Sequence, residues 1–292
     1  MKSFTYNSKR FIDIFENEFT YLNGFLRNVH RYKNRTALTC PERGKSWTYS
    51  ELDQECNRLA NAMIAAGVQK NDVVMYQLFN SAEFVFLFLA PQKIGAINCP
   101  INFRLSYGET AYTIDDSKPK VFFYDAEIKD MCEKALEKAS HKPEKVIMVD
   151  ITGKQKAFEG SISYNEFVKK ASDKTPDITR PSHIYDETTR LYTSGTTGMP
   201  KGVPLNNINE IMSAHDVLMH FPLCSVDKTM NMTPWFHRGG LYSGGPNPTL
   251  YAGGEIVVLR NFDPNSVLSY VEKYGVTFLI GAPVTLKAIH DI

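Results

Sequence analysis

The chain has 292 residues, of which 43% are hydrophobic and 22% charged, a composition typical of a globular protein with a sizeable core. The formal net charge is +1, so no strong overall field favours nucleic acid or anionic lipid as a partner. Five scattered cysteines without a CxxC pair argue against a disulfide framework. The N-terminus lacks an apolar signal segment, and the apolar run at residues 84–90 is too short for a bilayer. We therefore predict a cytoplasmic protein without a membrane span.

Apolar periodicity alternates along the chain between the helical and the strand pattern. Residues 51–66 carry apolar side chains at helical spacing, and Gly67 follows as a C-terminal cap. Further helices are predicted at residues 82–90, 109–116, 127–139, 207–220 and 266–273. Strands are predicted at residues 72–79, 121–124, 146–149, 255–259 and 276–280.

Strands that alternate with helices predict an α/β protein with largely parallel sheets flanked by helices. A polar, proline-containing stretch at residues 172–187 is the candidate boundary between two αβ units. We therefore expect a first αβ subdomain at residues 1–180. A second is expected at residues 181–292, starting with the loop that carries the strongest chemical signal.

That loop reads LYTSGTTGMPKG and covers residues 191–202. Four hydroxyl side chains fall within five residues, at Thr193, Ser194, Thr196 and Thr197. Gly195 and Gly198 permit backbone conformations that other residues resist, and Lys201 adds a positive charge. Because no acid interrupts these donors, they suit a polyphosphate, to which each charge-assisted hydrogen bond contributes about 1.5–3 kcal/mol. The alternative is an ordinary surface turn rich in glycine, serine and threonine.

Two common nucleotide-binding motifs do not match this loop. A Walker loop needs Gly-Lys-Ser/Thr, whereas here Pro200 precedes Lys201 and Gly202 follows it. The GxGxxG fingerprint of dinucleotide-binding folds is also absent from the sequence.

The loop resembles the signature of the adenylate-forming superfamily, which includes acyl-CoA synthetases, luciferases and nonribosomal-peptide adenylation domains. Further segments resemble the family in the expected order: TYSEL at 48–52, KIGAINCPINFRLSYGE at 93–109, PWFHRGGL at 234–241 and the segment 263–283. The resemblance runs nearly end to end. It implies the N-terminal domain of an acyl-CoA synthetase, with the second αβ unit incomplete.

The resemblance also implies a reaction and its participants. A carboxylic acid would react with ATP, together with Mg²⁺, to give an acyl-adenylate and pyrophosphate, and CoA would then accept the acyl group. The loop residues Thr193, Ser194, Gly195, Thr196, Thr197, Gly198 and Lys201 would hold the β- and γ-phosphates. Lys201 and His237 would act in catalysis, and Trp235, Phe236 and His237 would shape the acid pocket. The residues that would hold a metal ion stay unassigned, and the spacing of His215 and His220 does not predict zinc.

The sequence departs from the family pattern at two positions and does not continue into the later segments of the family, so more than one function stays open. Arg190 stands where the family has an apolar strand residue, and Asn207 stands where many members have histidine. The nucleotide-binding Thr-Glu motif and the mobile C-terminal domain of the family do not follow Pro283, so we expect a truncated gene product or a fragment. An adenylating enzyme with another acceptor, a non-catalytic remnant that binds nucleotide or a partner, and a homo-oligomer all remain open.

Overall fold

A computed structural model describes residues 7–178, 182–193 and 198–292 of the chain. The described residues form two β-sheets with helices packed between and around them. The architecture is α/β with mostly parallel strands, as the alternating pattern predicts.

The larger sheet is parallel except for its last pair of strands. Its order is β7 (Ile162–Ser163), β6 (Lys145–Val149), β5 (Val121–Asp125), β3 (Val73–Gln77), β4 (Ile97–Pro100), β8 (Glu187–Thr193) and β9 (Lys201–Asn206). The strands β8 and β9 form an antiparallel hairpin at the edge of this sheet.

The smaller sheet combines strands from both ends of the chain. Its order is β12 (Phe278–Ile280), β10 (Lys228–Asn231), β11 (Glu255–Val257), β1 (Thr36–Cys40) and β2 (Lys45–Thr48). The pairs are parallel apart from the antiparallel hairpin of β1 and β2. The strand β1 pairs with β11, and β8 and β9 belong to the larger sheet. The expected boundary between residues 180 and 181 therefore does not separate one sheet from the other.

Helices cover both sheets. They are α1 (Ser8–Ile12), α2 (Tyr21–Arg31), α3 (Tyr49–Ala65), α4 (Ala82–Lys93), α5 (Tyr107–Ser117), α6 (Lys129–Lys138), α7 (Tyr164–Val168), α8 (Asn207–His220), α9 (Arg238–Tyr242), α10 (Pro246–Ala252), α11 (Pro264–Tyr274) and α12 (Pro283–His290). A π-helical turn follows α1 at Asp13–Glu18, and 3-10 turns occur at Pro41–Arg43 and Ala126–Ile128. None of the helices in the described ranges has the length and apolar character needed to cross a membrane.

The helix α4 explains how the two sheets share one core. Its residues 84–91, FVFLFLAP, are apolar around the whole circumference of the helix, which is typical of a helix with no solvent-facing side. It contacts β1 of the smaller sheet and β3 of the larger sheet, so it lies between them. The largest apolar cluster accordingly joins residues of both sheets through this helix.

Two of the segments that resemble the family contain residues that cap helices. Thr48 and Glu51 of TYSEL form a reciprocal capping box at the start of α3. Ser106 and Glu109 form the same arrangement at the start of α5. These polar residues therefore satisfy backbone amides at helix starts, which fixes where each helix begins.

The helices and strands predicted from periodicity are confirmed, with bounds that differ by a few residues. Asp263 caps the start of α11, since its side chain accepts a hydrogen bond from the Ser266 amide. The predicted C-terminal cap is also present, because Gly67 follows α3 with a φ of 85°. The five cysteines are free thiols, of which Cys224 is exposed and the other four are buried.

Candidate active site

The predicted phosphate-binding loop connects the two strands of the β8–β9 hairpin. Thr193 ends β8 and pairs directly with Lys201, which begins β9. Since β8 runs parallel to β4, Thr193 lies at the carboxyl end of a strand in a parallel sheet. Ligands of open α/β sheets bind outside this end of the strands. The hairpin thus presents the loop at the edge where a ligand site is expected.

Four predicted loop residues, Ser194, Gly195, Thr196 and Thr197, lie outside the described residues. The residues on either side of them are described. Thr193 and Lys201 are exposed, and Pro200 is buried. Gly198 has a φ of 88°, in the left-handed region where glycine is favoured, and a Cβ there would meet no atom of the described residues within 4 Å. The backbone conformation at Gly198 therefore favours glycine.

The PWFH segment follows β10 and contains two buried residues and one exposed residue. Trp235 and Phe236 are 1% and 2% exposed, whereas His237 is exposed. The Trp235 ring packs edge-on against Phe84 of α4, with centroids 5.6 Å apart. The Trp235 amide also donates to the Asn80 side chain over 2.9 Å. Trp235 therefore belongs to the core between the sheets, and its part in an acid pocket stays a prediction.

A row of packed aromatic rings connects His237 to residues 102–105, the NFRL part of the segment 93–109. The His237 ring lies 4.1 Å from the Phe236 ring, measured between centroids. Phe236 packs at 90° against Phe103, which in turn stacks on Phe79 with centroids 4.1 Å apart. Two segments that the sequence analysis singled out separately, 93–109 and 234–241, are thus brought together.

The pKa of His237 lies below its ordinary value. Partial desolvation by the surrounding protein is the larger cause, and the positive charge of Arg104 adds to it. The neutral imidazole is therefore the favoured form near pH 7. A neutral histidine can donate one hydrogen bond and accept another, which suits a position beside a polar reacting group.

The backbone forms a tight turn after Pro234, and Gly240 in this turn has no space for a side chain. The His237 carbonyl accepts from the Gly240 amide over 3.0 Å. A Cβ on Gly240 would stand 2.0 Å from the Pro234 carbonyl oxygen. At neighbouring Gly239, a Cβ would meet none of the described atoms within 4 Å. Gly240 of the PWFHRGGL segment is thus needed because the backbone at Pro234 approaches it closely.

A buried glutamate joins the hairpin to the His237 segment. Glu210 of α8 is fully buried. Its Oε1 accepts hydrogen bonds from Thr189 of β8 over 2.5 Å and from Tyr242 of α9 over 2.8 Å. Its Oε2 accepts from Asn247 of α10 over 2.7 Å. No hydrogen bond among the described residues joins the hairpin directly to residues 234–237, so Glu210 provides the polar link between them.

Burial raises the pKa of Glu210, and the hydrogen bonds from Thr189, Tyr242 and Asn247 act in the opposite direction. The sequence analysis did not identify this residue. The available signal was an acid followed by Ile211, Ala214 and Val217, all of them buried residues of α8. A charge on the apolar face of a helix indicates a buried polar network.

Arg190 and Asn207, which differ from the family pattern, both form hydrogen bonds with other residues. The Arg190 guanidinium makes two hydrogen bonds of 2.8 Å to Glu187 on the same strand. The Asn207 side chain accepts from the Tyr21 amide over 3.1 Å and donates to the His183 carbonyl over 3.2 Å. Asn207 thereby connects the starts of α8 and α2.

A second polar link joins the two sheets. Arg260 follows β11, and its Nη2 lies 2.9 Å from the Asp125 carboxylate at the end of β5. Both side chains are almost fully buried. The Arg260 guanidinium also lies over the Phe79 ring, 4.7 Å from its centroid. The ion pair therefore supports the aromatic stack that extends to His237.

No cluster of three or more histidine, cysteine, aspartate or glutamate side chains suited to a metal ion occurs in the part of the chain that the structure describes.

A profile of the AMP-binding enzyme family matches residues 25–291. The chain belongs to this family, and the resemblance seen in the sequence is confirmed. Feruloyl-CoA synthase from an Amycolatopsis species is 32% identical over 246 residues, which are 84% of this chain and 45% of that protein.

Solved structures agree with this assignment. The anthranilate CoA ligase AuaEII, in complex with anthranoyl-AMP, matches with a TM-score of 0.83 at 25% identity, over 91% of this chain and 50% of that one. ATP-bound MatB from Rhodopseudomonas palustris matches with a TM-score of 0.77 at 27% identity, over 92% of this chain and 50% of that one. The chain spans about half the length of these relatives.

Proposed function

We propose that this chain provides the ATP-binding and acid-binding part of an acyl-CoA synthetase. The observation that supports the proposal is the β8–β9 hairpin, in which Thr193 and Lys201, at the two ends of the loop segment, pair at the carboxyl end of a strand of a parallel sheet. The family match and the CoA ligases among its relatives support the same function. Because ATP and CoA are cytoplasmic substrates, we also propose a cytoplasmic location.

The proposed reaction has two steps. In the first, a carboxylate oxygen of the acid attacks the α-phosphorus of ATP, the bond to the bridging oxygen breaks, and pyrophosphate leaves. In the second, the CoA sulfur attacks the acyl carbon, and AMP leaves with the electron pair of the broken bond. Negative charge moves onto pyrophosphate in the first step, so donors placed at that oxygen chain stabilise the transition state.

The residues of this chain receive roles within that scheme. The Thr193 hydroxyl, the loop residues 194–198 and the Lys201 ammonium would hold the β- and γ-phosphates. Mg²⁺ would arrive with ATP and neutralise part of the phosphate charge. The neutral His237 imidazole and the Phe236 ring would border the acid, and Trp235 would hold Phe236 in place from the core side.

ATP binding tests the first part of the proposal. Binding of MgATP to the folded chain should raise its melting temperature, because a ligand that prefers the native state stabilises it. Lys201→Ala should weaken binding about tenfold or more, which corresponds to the loss of one charge-assisted hydrogen bond. Lys134→Ala, at an exposed position of α6, is the matched control and should bind like the wild type. Equal affinity in all three proteins would remove Lys201 from the site.

Acid activation is tested by exchange of labelled pyrophosphate into ATP. Exchange should require a carboxylic acid, and the panel should include ferulate and anthranilate because relatives of the chain act on or bind such acids. Acid-dependent exchange followed by CoA thioester formation would establish the full reaction. ATP binding without exchange for any acid would instead favour a nucleotide-binding role without catalysis.

A further inference from the structure

An exposed helical segment precedes the part of the chain that matches the family. This N-terminal segment, residues 8–19, consists of α1, the π-helical turn after it and Phe19, whereas the family profile begins at residue 25. None of residues 8–18 is buried. The segment nevertheless carries five large apolar side chains that are each 38–47% exposed: Phe11, Ile12, Ile14, Phe15 and Phe19. Apolar side chains exposed together in this way indicate an interaction surface.

Three phenylalanines of the N-terminal segment form a continuous row. The Phe11 and Phe15 rings stack with centroids 4.5 Å apart, and the Phe15 and Phe19 centroids are 6.3 Å apart. Residues at intervals of four drift slowly around an α-helix, which has 3.6 residues per turn. The π-helical turn is wider, because its hydrogen bonds join residues i and i+5, so it keeps the three rings in line. The phenylalanine row (Phe11, Phe15 and Phe19) therefore forms a ridge along one side of the segment.

Backbone atoms hold the N-terminal segment on the rest of the protein. The Glu16 carbonyl accepts from the Ile184 amide over 2.7 Å, and the Asn17 carbonyl accepts from the Ser182 hydroxyl over 2.8 Å. Both donors lie shortly before β8. The position of the segment is thus fixed by main-chain groups, and the phenylalanine row is presented on a defined side of the molecule.

The charges of the segment match a second copy that runs antiparallel to it. Arg10, Ile14 and Glu18 each directly precede one phenylalanine of the row, so they form a parallel line along one flank of it. A two-fold axis near Ile14 and Phe15 brings Arg10 of each copy beside Glu18 of the other. The same axis brings Phe15 against its counterpart in the second copy. Opposite charges therefore meet at both ends of the pair, with apolar side chains between them.

A lipid surface matches the segment less well than a second copy does. The segment has two basic side chains, Lys9 and Arg10, and three acidic ones, Asp13, Glu16 and Glu18. Helices that lie on anionic membranes carry mainly lysine and arginine on their polar face. The acidic excess and the order of the charges along the segment therefore favour a protein partner with the reverse order, which a second copy supplies.

We propose that the N-terminal segment is a self-association surface through which two copies of this chain form an antiparallel, two-fold symmetric dimer. The two phenylalanine rows pack against each other, and Arg10 of each copy pairs with Glu18 of the other. An interface made by one short helical segment falls in the class below about 1,200 Å², so the dimer is weak and depends on concentration. The inference concerns residues outside the candidate active site and does not depend on the proposed function.

Sedimentation equilibrium of the full chain tests the apolar part of the interface. The wild type should shift from monomer to dimer as its concentration rises through the micromolar range. Phe15→Ser should weaken association about tenfold or more, because the central aromatic side chain is lost from both copies. Phe221→Ser is the matched control, at a phenylalanine that is 54% exposed directly after α8, and should dimerise like the wild type.

The order of the charges is tested by two charge reversals. Arg10→Glu and Glu18→Arg should each weaken self-association about fivefold or more, because like charges then meet at both ends of the pair. An equimolar mixture of these two variants should recover dimerisation, since a copy of one meets a copy of the other with opposite charges at both ends. Lys134→Glu, at an exposed position of α6, is the control and should associate like the wild type.

A wild type that stays monomeric at every concentration would overturn the proposal. A dimer that persists in Phe15→Ser or dissociates in Phe221→Ser would do the same, because association would then use another surface. A mixture of the charge variants that associates no better than either alone would overturn the antiparallel arrangement. A monomeric wild type that binds phosphatidylcholine vesicles, with binding lost in Phe15→Ser, would assign the segment to a lipid surface instead.

Discussion

The Thr189 hydroxyl on β8 donates a hydrogen bond of 2.5 Å to the fully buried carboxylate of Glu210 on α8. Thr189 lies four residues before the end of the strand that leads into the predicted phosphate-binding loop. The same carboxylate accepts from Tyr242, on the helix that begins directly after His237. One buried acid therefore positions both halves of the candidate active site relative to each other.

Glu210→Leu should lower the free energy of unfolding by about 3–5 kcal/mol, because three buried donors lose their acceptor. Glu210→Gln should cost less, about 1–2 kcal/mol. Its amide oxygen can still accept from Thr189 and Tyr242. Its amide nitrogen would replace the oxygen that accepts from Asn247 Nδ2, and it can donate to Asn247 Oδ1 after the Asn247 amide turns over. Urea unfolding followed by tryptophan fluorescence measures both values.

Glu272→Leu, at an exposed position of α11, is the control for the loss of a glutamate from a helix and should change stability by less than about 0.5 kcal/mol. If Glu210→Leu were as stable as this control, Glu210 would not connect the two halves of the site.

Gly240→Ala should destabilise the loop after Pro234 by about 1–3 kcal/mol or more. Its Cβ would approach the Pro234 carbonyl oxygen to 2.0 Å, and that atom belongs to the backbone and cannot rotate away. The matched variant Gly239→Ala meets no atom within 4 Å and should be neutral or slightly stabilising, because alanine favours helix more than glycine does. Thermal unfolding of the two variants gives the comparison. Similar behaviour of both would show that the tight turn does not depend on Gly240.

His237 should titrate below the value of about 6.5 that a histidine has in an unstructured peptide. Arg104→Gln should raise the midpoint without restoring it fully, because desolvation is the larger cause. Since the folded pKa is depressed, the contribution of His237 to stability is present above about pH 6.5 and is lost as the pH falls through the folded pKa.

The titration is followed by the imidazole NMR signals of His237. Arg31→Gln, at an exposed position of α2, is the control and should leave the midpoint unchanged. A wild-type midpoint at or above about 6.5 would contradict the desolvated environment.

Arg260→Met should lower the free energy of unfolding by about 3–5 kcal/mol, because it leaves the Asp125 carboxylate buried without its cation. The double variant Arg260→Met/Asp125→Leu should recover much of this loss, since two apolar side chains need no hydrogen-bond partner. Arg58→Met is the control. It breaks the partly exposed pair with Glu55 and should cost no more than about 1 kcal/mol. A double variant less stable than Arg260→Met would contradict this account.

Local patterns predicted the helices α3, α4, α5, α6, α8 and α11 and the strands β3, β5, β6, β11 and β12, because each depends on neighbouring residues. They did not predict α2, α10, α12 or the β8–β9 hairpin. The segment 82–90, apolar apart from Glu83, predicted a helix, and this helix is present as α4. Short strands were missed where local composition opposes the strand pattern. An example is β4, whose four residues INCP include a buried Asn98 that bonds to Thr188 and Thr189 across the sheet.

The sequence by itself determined the hydroxyl-rich and glycine-rich composition of the loop at residues 193–201, the α/β class and the family, because motif spacing and periodicity are properties of consecutive residues. Only the tertiary structure decided that β1 joins β11, that Trp235 lies in the core while His237 is exposed, and that Glu210 links the strand before the loop to the helix after His237. These relationships depend on which buried groups meet across the fold. A donor and its acceptor can be distant along the chain, and no local pattern records their pairing.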